Sequence, residues 1–433
     1  MVTSRHDHRR AKLFPVALVL VGLATVVLVL LVLRLSREEP LLVSWPVATP
    51  EREGLDLSAL EDLAEGLANR GTRALLVARH GRIVLEWYAP EFDADRTHYA
   101  ASMVKGTAAA PALAVAARRG LLSLDDPAAK WIPEWATDSE RADILLRHLA
   151  FHSSGLDDID FDAGTEGELP GWKQRYYDYP NERFRLAIDS TDVRFAAGTG
   201  YGYSGVGYYI LSYIVTRALA QGADSVRDIS TLLDEAVYRP VGIPPDVWSI
   251  GYGRVDHVDG LPLTHFGSGG RITARAAARI GQLFLQEGCW QGEQILDPDL
   301  VRTLLGRGPI DPVPPGDATG VPTSAGGWWP TAASGGGWWL DGGSDWPAAA
   351  RGSAAAIGYG HQIVWIDPKI DLVVARLGDD LTSRREPFDV ALTRYFVEPL
   401  YDAVGRTIPL RESLSSVASS QRTGADAGES CGT

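Results

Sequence analysis

A serine and a lysine stand three positions apart in the sequence Ser102-Met103-Val104-Lys105, at the start of an alanine-rich stretch. If this stretch is helical, positions three apart share a face, so the serine hydroxyl and the lysine amine can meet. A serine hydroxyl is a weak nucleophile until a neighbouring base takes its proton. A lysine can be that base when burial or nearby positive charge disfavours its ammonium form. Lys105 is one of five lysines in the chain and alone has a serine three positions before it. The pair therefore predicts acyl-transfer chemistry with Ser102 as the nucleophile.

The elements before and after this pair follow from hydrophobic spacing and turn residues. Residues 57–69 have helical spacing, and residues 74–79 and 82–88 are strand-like runs joined by a His-Gly pair, which predicts a β-hairpin. The stretch 102–119 predicts a helix that ends at the glycine after it. The nucleophile is therefore expected to open a helix that follows a β-hairpin.

The C-terminal half supplies the remaining strands. Residues 362–367 and 372–377 are two further strand-like runs, residues 387–404 form an amphipathic candidate helix, and residues 120 to about 290 read mostly as helical segments and loops. Strands at both ends with helices between them predict an α/β (α+β) fold. We expect one antiparallel sheet built from N- and C-terminal segments and flanked by helices, with an inserted mainly helical subdomain, in a single domain over residues 59–410.

Residues 312–352 within that domain are rich in glycine, proline and tryptophan. A loop of this length inside a compact domain is usually functional or disordered. Its five tryptophans favour an ordered wall of a cleft over disorder, with core packing as the competing interpretation. The tryptophans are Trp328, Trp329, Trp338, Trp339 and Trp346.

The N-terminal region is a separate piece. Residues 13–33 carry no charge and are almost wholly apolar, long enough to span a bilayer. Four basic residues precede this run and two follow it, which favours a cytoplasmic N-terminus and an exported body. We expect a cytoplasmic basic tail over residues 1–12, a transmembrane helix over 13–35 and a linker over 36–58. A cleaved signal peptide is the alternative. The polar C-terminal segment 411–433 is expected to be disordered.

Charge and cysteine content narrow the function. The chain has a net charge of −14, and because residues 1–37 carry +5, the remainder carries −19. This acidic body argues against nucleic acid as a partner. The two cysteines have no metal-ligand spacing, so we expect no disulfide framework, no structural zinc and no other cofactor.

A series of segments, in one order along the chain, resembles the serine β-lactamase and penicillin-binding-protein-like serine hydrolases. ASMVKG resembles the nucleophile motif of that family, LLRHLAFHSSGL its H-[ST]-S-G-L segment, and FAAGTGYGYSGVGYYIL its tyrosine motif. YRPVGIPPDVW, GSGGRITARAAARIGQLFLQEGCWQGEQIL and AIGYGHQIVWIDPKIDLVVARLG resemble its later segments. The glycine-rich turn and paired tryptophans are most similar to the class C-related branch of esterases and 6-aminohexanoate-dimer hydrolases.

The resemblance implies a role for each matching residue. Ser102 would form an acyl-enzyme, Lys105 would accept its proton, and Tyr203 would share that proton and pass it to the leaving group. The backbone N–H groups of Ser102 and Gln362 would form the oxyanion hole. Substrate-binding positions would also include the turn at Tyr359, Gly360 and His361, with strand packing as an equal alternative for His361.

The chain departs from the family pattern at two places. Gly205 stands where an asparagine is expected two residues after the tyrosine, and Tyr359-Gly360-His361 replaces a Lys-Thr-Gly triplet. The first change removes a side chain that usually helps to hold the lysine and the substrate. The second removes the positive group that would bind a β-lactam carboxylate. Both weaken a penicillinase interpretation and leave acyl transfer possible.

Other polar residues near the motifs are expected to have no part in the acyl-transfer step. Tyr201 is the rival to the catalytic tyrosine, and the spacing of the motif disfavours it. His148 and His152 are expected to fix loops through hydrogen bonds. A Ser/His/Asp triad using Asp157 or Asp158 is disfavoured because the chain lacks a G-x-S-x-G elbow.

These observations predict a serine hydrolase that cleaves small esters or short amides and is anchored in the cytoplasmic membrane with its catalytic domain outside. A D-alanyl peptidase acting on cell-wall peptides is the alternative substrate class. A sensor or binding protein of the same fold that does not turn over is the alternative from another functional class. The expected partners are a small substrate and the membrane, and the sequence leaves the oligomeric state open.

Overall fold

The computed structural model describes residues 45–159, 171–223, 225–308, 333–340, 346–347, 350–382 and 386–405. The chain divides into two units, Met1–Val43 and Ser44–Thr433, and every described residue belongs to the second. The predicted basic tail, membrane helix, first part of the linker and C-terminal tail therefore lie outside the described residues. Within the described ranges, no helix has the length and apolar character needed to cross a bilayer.

The predicted hairpin is present. Strand β1 (Thr72–Arg79) pairs antiparallel with β2 (Arg82–Tyr88) across a two-residue turn. Both turn residues are left-handed, with φ of 49° at His80 and 69° at Gly81. This geometry matches the right-handed twist of the two strands, which is why such turns close tight hairpins.

The main sheet joins this hairpin to strands from the C-terminal part of the chain. It has seven strands in the order β10-β11-β12-β13-β14-β1-β2, with all neighbours antiparallel. Its C-terminal strands are β10 (Ala333–Ser334), β11 (Trp339–Leu340), β12 (Ala354–Gly358), β13 (Gln362–Asp367) and β14 (Leu372–Gly378). The prediction of a mixed α/β fold with an antiparallel sheet and helices is confirmed.

Seven shorter strands form three small sheets that the sequence did not predict, since each has only two or three residues. They are β3 (His98–Tyr99), β4 (Trp248–Ser249), β5 (Asp256–Val258), β6 (Leu261–Leu263), β7 (Arg271–Ile272), β8 (Cys289–Trp290) and β9 (Glu293–Gln294). Cys289 on β8 is disulfide-bonded, contrary to the expectation drawn from cysteine spacing. The second cysteine, Cys431, lies outside the described residues.

Helices cover both faces of the main sheet. They are α1 (Leu57–Ala68), α2 (Ala110–Arg118), α3 (Leu146–Ala150), α4 (Trp172–Asp178), α5 (Arg183–Asp189), α6 (Gly205–Gln221), α7 (Ile229–Leu233), α8 (Ala274–Leu285), α9 (Pro298–Leu304), α10 (Phe388–Leu392) and α11 (Glu398–Gly405).

Alternation along β1 shows how the two faces are used. Leu75 and Val77 belong to a core that includes α1, α10 and α11, while Leu76 and Ala78 belong to a larger core that includes α8 and the central helices. Successive side chains of a strand point to opposite faces, so a strand between two helical layers is apolar throughout. The main sheet therefore lies between two hydrophobic cores and contributes side chains to both.

The stretch predicted as one helix from 102 to 119 is instead built in three parts. A 3₁₀ turn, Ala101–Met103, is followed by a π-helical turn, Lys105–Ala109, and then by α2. Pro111 in the first turn of α2 explains part of this, because proline has no N–H and clashes with the carbonyl four residues earlier. The wider π turn avoids the α-helical bond that proline forbids.

Candidate active site

Ser102 is held in a strained turn. The residue before it, Ala101, has φ of 51°, which is unfavourable for a residue with a Cβ and must be enforced by its surroundings. Strand β12 supplies that enforcement, because Gly358 passes so close to the turn that a Cβ there would overlap the carbonyl oxygen of Ala100. The backbone of β12 therefore packs directly against the backbone of the nucleophile turn.

Lys105 lies on the π-helical turn with its amine beside the serine. Its Nζ donates to Ser102 Oγ over 3.3 Å and also to the carbonyl oxygen of Gly267. The side chain is only 4% exposed. Two aromatic rings surround the amine, with Nζ 4.9 Å from the ring centroid of Tyr203 and 5.0 Å from that of Tyr208. The lysine is thus aimed at the nucleophile in a mostly apolar pocket.

Tyr203 approaches Ser102 from the other side. Its hydroxyl donates to Ser102 Oγ over 3.0 Å. Its ring lies between the His152 ring, 4.4 Å away at 27°, and the Trp339 ring, 6.1 Å away at 3°. Tyr201, the rival position, is buried and meets His152 edge-on at 6.0 Å. The structure therefore brings Ser102, Lys105 and Tyr203 together.

His152 holds the loop that carries the tyrosine. Its Nδ1 accepts the backbone N–H of Ser204 over 3.0 Å. Burial, together with the positive charge of Lys105, holds the pKa of His152 well below its usual value, so the ring is neutral and carries its proton on Nε2. His148 similarly accepts the N–H of Leu145 on Nδ1 over 3.2 Å. These contacts agree with the loop-fixing role expected for both histidines.

The cavity beside Ser102 is narrow and aromatic, about 230 Å³ including the space open to solvent. Its lining residues come from the nucleophile segment, the tyrosine loop and the tryptophan-rich segment: Ser102, Lys105, His152, Tyr203, Gly337, Trp338, Trp339 and Ile357.

The tryptophans of the 312–352 segment have different surroundings. Trp338 is fully buried against Phe284 and Trp339 is partly exposed, and both line the cavity. Trp346 packs on Trp365 in the other core, with ring centroids 4.5 Å apart. Trp328 and Trp329 lie outside the described residues. The cleft-wall interpretation therefore fits two of the three described tryptophans, and core packing fits the third.

The predicted oxyanion and substrate-binding residues after β12 are not among those that line this cavity. The assignment of Gln362 to an edge strand is contradicted by the sheet, because β13 pairs with β12 on one side and with β14 on the other. In contrast, among the residues that the structure describes, β11 pairs with β12 only at Ala354 and Ala355, so the end of β12 beside Ser102 has one side open. The Gln362 amide is used inside the protein, where Nε2 donates to the carbonyl of Gly378 over 2.6 Å and Oε1 accepts its N–H over 3.0 Å. The strand beside Ser102 is β12, and Ile357 is its cavity residue.

The turn between β12 and β13 also points elsewhere. The His361 ring is fully buried, stacks on Phe388 at 3.7 Å and places Nδ1 2.9 Å from the carboxylate of Asp380. Tyr359 is 63% exposed, and the carbonyl of Gly360 accepts from the buried guanidinium of Arg376 over 2.9 Å. The even choice between substrate contact and packing for His361 is therefore decided in favour of packing.

Asp158 is a buried carboxylate near the site. The sequence indicated no role for it other than membership of a disfavoured Ser/His/Asp triad. Asp158 accepts the backbone N–H of Gly205 over 2.9 Å and of Val206 over 3.3 Å, at the start of α6. Burial raises its pKa to about 6. It does not orient His152, whose Nδ1 is already used by Ser204. In the parts of the chain that the structure describes, no cluster of His, Cys, Asp or Glu is arranged to hold a metal ion.

Comparison with known proteins agrees with this geometry. A family model described as Beta-lactamase matches residues 60–396. The chain belongs to the Beta-lactamase family. It is a serine hydrolase of that family, with relatives named as a 6-aminohexanoate-dimer hydrolase and an esterase.

Among these Beta-lactamase relatives is the 6-aminohexanoate-dimer hydrolase of Paenarthrobacter ureafaciens, 25% identical over 356 residues that cover 79% of this chain and 80% of the relative. Esterase EstB of Burkholderia gladioli is 30% identical over 184 residues, 39% of this chain and 44% of the esterase. The solved structure of a penicillin-binding protein homologue from Caulobacter crescentus aligns with a TM-score of 0.57 at 16% identity, over 81% of this chain and 98% of that one. This last likeness shows the fold.

Proposed function

We propose that this protein cleaves small esters or short amides through an acyl-enzyme on Ser102. The observation that carries the proposal is the convergence of two proton-handling groups on one oxygen, with Lys105 Nζ at 3.3 Å and Tyr203 Oη at 3.0 Å from Ser102 Oγ. A pure binding protein of this fold has no need of both groups, because neither contributes to holding a ligand that is not attacked.

The reaction would run in two steps. In the first, Ser102 Oγ bonds to the substrate carbonyl carbon while its proton passes to the Lys105 amine. Tyr203 relays a proton to the leaving alcohol or amine as the old ester or amide bond breaks. In the second, water attacks the acyl-enzyme and the same groups return a proton to Ser102. The backbone N–H of Ser102, with an N–H from the end of β12 that β11 does not pair, would hold the oxyanion.

The cavity supports small substrates with flat or apolar groups. Its walls include Trp338, Trp339 and Tyr203, and apolar and aromatic side chains of this kind line most small-ligand pockets. The two named relatives are a 6-aminohexanoate-dimer hydrolase and an esterase, and this agrees with an acyl-transfer site that accepts an amide or an ester bond. A medium-length acyl chain or an aromatic leaving group would fill the space against Trp339.

We also propose that a single N-terminal helix anchors the protein in the cytoplasmic membrane with the hydrolase outside. The support is the uncharged run at residues 13–33 and the excess of basic residues before it. Alkaline phosphatase fused after residue 60 should be active in cells. Activity of a cytoplasmic reporter alone at that position would refute the topology.

Labelling with a fluorophosphonate probe tests the nucleophile. The full-length chain in detergent should be labelled, Ser102→Ala should not be, and Ser225→Ala, at an exposed serine, should be labelled like the wild type. Lys105→Ala should slow labelling by about 10²–10⁴-fold, the usual contribution of a general base. Labelling that survives Ser102→Ala would place the nucleophile elsewhere and overturn the proposal.

A further inference from the structure

Asp158 is a carboxylate buried at the start of the helix that follows the catalytic tyrosine. Its side chain is 2% exposed, and its two oxygens accept the N–H groups of Gly205 and Val206. The next N–H, that of Gly207, is capped by the Ser204 hydroxyl over 3.0 Å. Helix N-termini leave such donors unpaired, so this carboxylate fixes where α6 begins. Tyr203 lies two residues before that start.

The neighbouring carboxylate has a different environment. Asp157 is also buried, but it is neutralised by Lys173 at 2.9 Å and Arg194 at 2.6 Å. The positive charge that reaches Asp158 is that of Lys105, which acts on it through space and favours its ionised form. The two adjacent acids therefore have different partners, which are cations for Asp157 and the backbone N–H groups at the start of α6 for Asp158.

Position 205 explains why a carboxylate fits here. A Cβ added to Gly205 would lie 3.6 Å from Asp158 Oδ1 and 3.7 Å from Oδ2. The carboxylate therefore stands beside the point from which a side chain at position 205 would extend. An asparagine was expected at that position from the sequence motif, and the chain has none.

We infer that Asp158 is the positioning residue for the catalytic tyrosine: it fixes the start of α6, so that the Tyr203 hydroxyl stays on Ser102. It takes over the place left by the side chain that position 205 lacks. This inference rests on the proposed function, because it assigns a supporting residue to the same tyrosine.

Both carboxylate oxygens of Asp158 are in use, one for each N–H group. An asparagine at position 158 would keep the shape of the side chain but would offer one acceptor oxygen in place of two. Loss of one of these hydrogen bonds should therefore loosen the start of α6 and the tyrosine before it.

Steady-state kinetics of the full-length chain with p-nitrophenyl butyrate at pH 7.5 test the inference. Asp158→Ala should lower kcat about 100-fold with KM changed less than about threefold, as expected for a misplaced catalytic group. Asp158→Asn, which keeps the shape and one of the two acceptor oxygens, should lower kcat about tenfold. Asp157→Asn is the matched control and should leave the kcat of the folded protein within about threefold.

A paired substitution separates positioning from simple loss of a buried group. Adding Gly205→Asn to Asp158→Ala should recover kcat at least about tenfold, which is a coupling that two independent sites would not show. If Asp158→Ala does not fold, the isosteric Asp158→Asn decides alone. A kcat for Asp158→Asn that matches the wild type within about threefold would overturn the inference.

The two proposals fail in different ways. If the wild type hydrolyses no ester or amide, the proposed function fails. The Asp158 variants are then compared by their rate of fluorophosphonate labelling at Ser102, which needs an activated nucleophile and no turnover. Equal labelling rates for wild type and Asp158→Ala would then overturn the positioning role by itself.

Discussion

The buried carboxylate of Asp158 should make the stability of the protein depend on pH in a direction opposite to that of a salt-bridged acid. Its pKa is raised from 3.8 to about 6 by burial, so between these values the folded protein holds a proton that the unfolded chain has released. Stability rises with pH only where the unfolded state binds more protons. Here the folded state binds more, so this group lowers stability as pH rises from about 4 to 6.

The size of the effect follows from the two pKa values. Each pKa unit corresponds to about 1.4 kcal/mol. The raised pKa of Asp158 therefore lowers the free energy of unfolding by about 1 kcal/mol at pH 4.5 and by about 3 kcal/mol at pH 7.5. Asp158→Asn removes the titration and keeps most of the shape. The substitution also changes hydrogen bonds to the start of α6, but that contribution is the same at both pH values. Relative to wild type, Asp158→Asn should therefore gain about 2 kcal/mol more at pH 7.5 than at pH 4.5.

Urea unfolding of the full-length chain in detergent, followed by tryptophan fluorescence, measures this difference. The quantity to compare is the change in unfolding free energy caused by the substitution at each pH, since all other titrating groups cancel. Asp157→Asn is the control and should lose stability at both pH values, because it leaves the buried amine of Lys173 without its partner. An Asp158→Asn effect that is equal at both pH values, or larger at pH 4.5, would refute the assignment of a buried, weakly acidic carboxyl.

Three further predictions concern catalysis. Tyr203→Phe removes the hydroxyl that donates to Ser102 and should lower kcat for p-nitrophenyl butyrate by about 10²–10⁴-fold, whereas Tyr201→Phe should stay within about threefold; the reverse order would reassign the tyrosine. On one preparation, kcat/KM for p-nitrophenyl butyrate should exceed that for nitrocefin at least about 100-fold, because among the described residues that line the cavity the basic side chain is Lys105, which is already bonded to Ser102. Comparable values would contradict this. Gly358→Ala should abolish probe labelling because the new methyl group overlaps the carbonyl oxygen of Ala100, and a fully labelled variant would show that β12 does not press on the nucleophile turn.

The parts of the site that were predictable from the sequence depend on local spacing. Ser102 and Lys105 share one turn of chain, so their meeting needs little tertiary information. The hairpin of β1 and β2 follows from alternating apolar residues and a turn that tolerates left-handed backbone. The choice of Tyr203 over Tyr201 came from motif spacing, and the hydroxyl does lie on the serine oxygen.

The error at Gln362 has a physical origin in the strand before it. β12 is alanine-rich and ends in glycine, and both residue types are depleted in strands, so no strand was predicted there. Without β12, Gln362 was taken to begin the edge strand, although it lies one strand further into the sheet. Alanine and glycine occur here because β12 packs against the backbone of the nucleophile turn, and larger side chains would not fit. The inferred role of Asp158 could not be predicted from the sequence for a related reason. It depends on the tertiary contact between the Asp158 carboxylate and Gly205.

The pairing of β1 with β14 in the main sheet has a consequence for how the protein is made. In the buried hydrogen bond between Arg376 and Thr72, the two residues are 304 positions apart. At a synthesis rate of about 5–20 residues per second, the β1–β2 hairpin exists for about 15–60 s before β14 is made. During that time the edge of β1 that will pair with β14 has no partner, and Leu75, Leu76 and Val77 have no core to enter. Open apolar strand edges recruit other strands. The newly made hairpin is therefore the part of this chain that most needs a holding chaperone, and amino-terminal fragments that stop before residue 372 should aggregate.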